Sequence, residues 1–161
     1  MNDRLHKATL KILGYEFMQG EHLLKNLEYN KDRQYPLYGM VDLVVFTNEG
    51  TLRVKTCAPF VFDGRSGPRL VDWYVPNLGS LEERLCWFVH DCNGYGLDLS
   101  FKDTNVLLYA MLRDLAGYRP TKATIIQLAV SLTDGWYGAP KPSEWCYCNR
   151  GLVHTKWEAK C

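Results

Sequence analysis

The chain contains no run of about 18 apolar residues, so no segment of it reads as a transmembrane helix. It also lacks an excess of either charge. Its 19 Lys and Arg face 18 Asp and Glu, a formal net charge of +1, which gives no broad electrostatic footprint for nucleic acid or an anionic membrane. Arg65 and Arg69 are the nearest approach to a basic patch, and two residues do not make a polyanion site. There is no internal repeat, no low-complexity tract and no G-x-S-x-G nucleophile elbow. Cys146 and Cys148 form C-x-C instead of C-x-x-C, with no second pair after them. His154 can complete a zinc site with these two, but small, half-buried side chains near a C-terminal tail are the simpler expectation. The opening MNDRLHKATLKILGYEF alternates polar and apolar residues and has no continuous signal-peptide core, which reads as a cytosolic start.

What is present is ordinary globular material: 161 residues, 47% hydrophobic, 23% charged and 13% aromatic. That length suits one domain, which buries roughly 68–70% of its unfolded surface. A core of this size needs no covalent staples. The six cysteines, Cys57, Cys86, Cys92, Cys146, Cys148 and Cys161, are therefore expected as free thiols over any of the roughly fifteen pairings six cysteines allow.

The pattern divides the chain in two. TLKILGYEF reads as a β-rich stretch, and DLVVFT and TLRVKT, separated by Asn48-Glu49-Gly50, read as a hairpin. GEHLLKNLEYNKDRQYP fits either a strand or a short helix. From Ala58 a long ordered loop is expected, carrying Asp63-Gly64 and Ser66-Gly67-Pro68. Helices come next. Ser80 and Glu83 form a capping box for a helix to about Cys92, Lys102–Leu115 forms a second helix closed by Gly117, and Pro120 opens a third ending near Gly135. Strands first and helices afterwards predict an α+β fold, with N-terminal antiparallel strands, a long loop and about three helices in a single domain spanning residues 1–161.

A helical wheel of the first long helix puts Leu81, Leu85, Phe88, Cys92 and Tyr95 on one stripe. His90 lies almost opposite, with Trp87 beside it and Asp91 further round, so the imidazole faces solvent or a second packing layer. The short linker Asn93–Phe101 allows the next helix to return antiparallel, bringing Asp103 back towards His90 and Asp91. Adjacent helical residues point about 100° apart, so Asp91 is a poor orienter for its own neighbour. The expected site therefore has His90 as general base, Asp103 as its orienting carboxylate, and Asp91 as a metal or electrostatic ligand. Asp63 is a second candidate ligand for a divalent cation such as calcium, and Ser66 and Arg69 are further candidates from the loop. The same residues have a plain structural reading, because an acid near a helix start and a histidine near a helix end both suit the helix dipole.

The order APFVFDGRSGPR, FVHDCNGYG, KDTNVLLYAMLRDLAG resembles a small bacterial and phage family catalogued as domain of unknown function 1353. Asp63, Ser66, Pro68, His90, Asp91, Asp103, Ala110 and Met111 match its pattern across residues 43–137, and Gly135-Trp136 fits its closing pair. The family's Tyr falls four positions after the His, where this chain has Gly94, with Tyr95 next. The residues after 140 fall outside the match, as a C-terminal tail. The resemblance implies a phage or prophage origin, a host-cytoplasm or virion setting, and joint action of His90, Asp91 and Asp103. The Cys86, His90, Asp91, Asp103 order is also similar to secretory and bacterial phospholipases, in which the His activates water, the next Asp binds calcium and the distant Asp orients the His. The glycine-rich calcium loop of those enzymes is absent here. Two functional expectations result: a small hydrolase of unassigned substrate, or a non-enzymatic phage protein, either a virion or tail-associated component or an inhibitor of a host system, with a host or virion protein as partner. The second draws on Trp73, Tyr74, Trp136, Tyr137, Trp145, Tyr147 and Trp157 as interface anchors.

Overall fold

The structure is a computed structural model that describes residues 4–27, 35–57, 60–62, 79–96, 98–137 and 153–161. It is an α+β fold. The order is β1 (Ile12–Gln19), α1 (Glu21–Lys25), β2 (Tyr35–Leu37), β3 (Val41–Thr47), β4 (Gly50–Thr56), β5 (Phe60–Phe62), α2 (Leu81–Gly96), α3 (Phe101–Asp114), α4 (Pro120–Tyr137) and β6 (Val153–Ala159). The main sheet is antiparallel with strand order β1-β3-β4-β6, and β2 pairs with β5 in a separate two-stranded ribbon.

The predicted hairpin is β3–β4. Its turn is held by Thr47, whose Oγ1 accepts from the Glu49 and Gly50 amides at 3.1 and 2.9 Å. Alternation sorts the two faces: Val41, Leu43, Val45, Leu52 and Val54 are buried, while Arg53 on the opposite face binds Asp42 at 2.6 Å. Residues 153–159, within the C-terminal tail, form β6 along β4, with Trp157 opposite Leu52 and Val153 opposite Thr56. Gly50 is required at this junction, since a Cβ there would lie 2.5 Å from the Glu158 carbonyl and 2.6 Å from the Trp157 ring.

Each outer strand of the sheet has a backbone amide held by a carboxylate. Asp114 of α3 accepts from the Ile12 N–H at 2.9 Å, and Asp98 accepts from the Trp157 N–H. Main-chain register shifts interrupt β1 at Leu13 and Met18.

The helices stack in layers over the buried face. α2 packs on β4 and β6, α3 packs on β1 and α2, and α4 packs on α3. As the central helix, α3 is buried continuously from Asp103 to Leu112. Ser100 caps it, its Oγ accepting from the Asp103 N–H at 3.0 Å. Gly117, at φ 71°, turns the chain out of it, and the Tyr118 N–H reaches back to the Leu112 carbonyl at 2.9 Å. α2 runs one turn further than its Asn93-Gly94-Tyr95-Gly96 composition suggests. Packing overrides turn propensity here, since Cys92 and Asn93 are already inside the molecule.

Candidate functional site

The two halves of the expected site separate. Asp103 is 1% exposed, and its carboxylate faces the N-terminal segment: Oδ1 and Oδ2 accept from the Arg4 amide at 3.1 and 2.9 Å, and Oδ1 accepts from the Leu5 amide at 2.9 Å. Hydrogen bonds to a charged acceptor contribute about 1.5–3 kcal/mol each. They account for a carboxylate inside an apolar layer with no partner among the described side chains of α2. The expectation that Asp103 orients His90 is corrected accordingly.

Asn105 takes the orienting position. Two residues along α3 is a rotation of about 200°, which turns Asn105 away from the Asp103 side and towards α2. Its Oδ1 lies 2.9 Å from His90 Nε2, and its Nδ2 donates to Ser131 Oγ of α4 at 3.2 Å. The direction of this chain of bonds is fixed from its far end. Ser131 Oγ lies 2.8 Å from the Gln127 carbonyl, which can only accept, so the hydroxyl donates there and receives from Asn105. That places the Asn105 oxygen, not its NH2, against His90, and so Nε2 carries the proton. The basic nitrogen of neutral His90 is then Nδ1, which faces Asp91 Oδ1 at 3.7 Å.

The surroundings are dry. His90 is 7% exposed, and the Trp87 ring meets it edge to face with centroids 6.2 Å apart and an interplanar angle of 80°. His90 thus faces the second packing layer, the inner of its two expected positions. Cys86, which the phospholipase-like order sets one turn before His90, is a buried free thiol. Burial, with Glu83 nearby, pushes its pKa far up, and Cys92 is held up likewise by burial and by Asp91. Neither thiol is poised as a nucleophile.

Asp63, Ser66, Pro68 and Arg69 lie outside the described residues, and so do Trp73, Tyr74, Trp145 and Tyr147. Tyr95 falls within α2 and the Gly135-Trp136 pair within α4, outside the residues whose side chains are described. Trp157 is in the core. Among the described residues no group of three or more His, Cys, Asp or Glu is placed to hold a metal ion. His90 and Asp91 supply part of the donor set a divalent cation takes, and Asp63, the other expected ligand, lies outside the described residues. Among the described residues, too, no helix is long and apolar enough to cross a membrane.

Asn105, Gln127 and Ser131 are the residues that sequence reasoning misses. Their signal is a polar interruption of an apolar face. Gln127 shares the buried stripe of Ala123, Ile126 and Val130, and Asn105 directly precedes the buried run Val106–Leu112. No family model, no curated protein and no solved structure matches this chain.

Proposed function

We propose that the protein is a small hydrolase whose general base is His90. The directed chain His90–Asn105–Ser131–Gln127 carries this reading: it fixes one tautomer and one ring orientation, and it leaves the proton-accepting nitrogen beside a carboxylate. In the reaction, a water molecule gives a proton to Nδ1 as its oxygen adds to the acyl carbon of the substrate. The leaving group then takes that proton from Nδ1 as its bond to carbon breaks. Asp91 stabilises the imidazolium between the two transfers, and Asn105 holds the ring by its Nε2–H. Asp103 acts only through the fold, by anchoring the chain at Arg4 and Leu5.

The test is turnover of a panel of neutral amides, carboxylic esters and phosphoesters by wild type, His90→Ala and Asn105→Ala. His90→Ala is expected to lower the rate on one class by about 100-fold or more, the usual scale for a general base. Asn105→Ala should lower it less. Turnover that survives His90→Ala unchanged rejects the reading.

A further inference from the structure

The open face of the main sheet carries its charges in an order that suits a second copy of itself. Val45, Leu52, Val54 and Trp157 point to the helix-covered face. Alternation sends the residues between them to the other face, where Glu16, Phe46, Arg53, Lys156 and Glu158 are exposed. The strand register lines this face up in rows. One row is Gln19, Asp42, Lys55 and His154, in the order β1, β3, β4, β6. The next is Glu16, Val44, Arg53 and Lys156, and a third sets Phe46 beside Thr51 and Glu158. In the first two rows the acids stand on β1 and β3 and the bases on β4 and β6.

This arrangement selects the partner. Glu16, Asp42 and Glu158 balance Arg53, Lys55 and Lys156, and Arg53 and Lys156 bind Asp42 and Glu158 within the chain, so the face offers a polyanion no net attraction. Strand addition is disfavoured at both edges, since register shifts break β1 at Leu13 and Met18, and Asp98 holds the Trp157 amide on β6. Face-to-face packing keeps strand directions within about 30° of each other, so rows can meet rows. A half-turn about an axis parallel to the strands, between β3 and β4, sets each row against its own copy while exchanging β1 with β6 and β3 with β4. Glu16 then opposes Lys156 of the second copy, Asp42 opposes Lys55, and Phe46 opposes Thr51 beside the axis, each contact occurring twice. A half-turn about the perpendicular axis through the middle row would set Glu16 against Glu16 and Lys156 against Lys156. We propose that the protein forms a two-fold dimer through this sheet face, with the strands of the two copies aligned. The face measures about 19 by 23 Å, which is about half of the roughly 800 Å² per partner of a standard interface. The dimer is therefore a reversible, concentration-dependent one.

Sedimentation velocity of the full chain over a concentration series tests this. The expected result is a monomer–dimer equilibrium that weakens at about 1 M salt, where the screening length falls to about 3 Å. Glu16→Lys and Lys156→Glu, both at exposed positions, should each raise the dissociation constant at least about tenfold, because like charges then face each other at two places. An equimolar mixture of the two variants should dimerise as wild type does, since in the mixed dimer both cross-chain pairs are again one acid against one base. Mixing would not repair damage to the fold. A monomer at every concentration, a dimer that both substitutions leave intact, or variants that stay monomeric when mixed would each overturn the proposal. So would a dimer lost only in Leu128→Lys, which would put the contact on the exposed Ile125, Leu128 and Leu132 stripe of α4.

Discussion

Two buried polar sites lie two residues apart on α3, and they are finished to different degrees. At Asp103 every described bond is a match of charge to backbone: three contacts from two amides, at 2.9–3.1 Å, close the carboxylate off. At Asn105 the bonds run on through His90 and Ser131, while on the flanking helices Trp87 Nε1, the Asn93 amide and Gln127 Oε1 have no hydrogen-bond partner among the described residues. A site that is complete in itself contributes to the fold. One that retains unsatisfied groups carries a cost.

Substitutions should separate the two sites, and the largest effect is expected at the closed one. Asp103→Ala leaves the Arg4 and Leu5 amides without their acceptor, Leu5 being in the core, and should lower unfolding stability by about 3 kcal/mol. A shift of the urea midpoint at constant slope would show it. A loss under about 1 kcal/mol would show that the N-terminal segment is held by other means. Asn105→Ala should cost about 1–2 kcal/mol, because it strands His90 Nε2 and Ser131. Nitrogen chemical shifts of the imidazole should then report a mixture of tautomers in place of the Nε2–H form. Asn93→Leu reverses the sign and should stabilise by about 1 kcal/mol, since it replaces two unpaired polar atoms by apolar volume.

The smallest effect is one of pH, and it belongs to neither site. Burial pushes Asp114 up, but hydrogen bonds from Arg113 and the Ile12 amide outweigh it, so its folded pKa lies below the ordinary carboxylate value. A hydrogen bond from Arg53 depresses Asp42 in the same way. Groups depressed in the folded state stabilise it fully above their unfolded pKa, and this contribution is lost as pH falls towards the folded value. Stability should therefore decline below about pH 4, and Asp114→Asn should flatten that decline in denaturation midpoints measured across acid pH. An unchanged slope would place the acid sensitivity elsewhere.

The α+β class, the β3–β4 hairpin, the Gly117 stop and the two long helices that carry the site are legible in the sequence because each has a local cause: alternation, a turn, a cap. β6 is not. Val153-His154-Thr155-Lys156-Trp157 does alternate, but one short strand has no partner in its own neighbourhood, and three helices separate it along the chain from its partner β4. The site is half legible for a similar reason. A wheel shows which way His90 points, yet Asp103 and Asn105 are equally available on the returning helix, and only the packing of residues 4–5 against α3 decides which of them meets α2. Sequence reasoning weighs carboxylates heavily as partners for histidine. An amide that must pair in two directions is harder to recognise until the third helix is in place.

The position of β6 also sets the order in which the sheet can be completed. During synthesis β4 leaves the ribosome long before its second neighbour exists, and until β6 arrives one flank of the hairpin has no strand to pair with. α2, which rests on both β4 and β6, lacks part of its floor for the same interval. Native sheets use such exposed flanks sparingly, because a second nascent chain can add to them. Once Trp157 is seated over Gly50 and Asp98 holds its amide, the flank is closed. The strand made after all the others of its sheet is thus the one that covers the open flank of the β3–β4 hairpin.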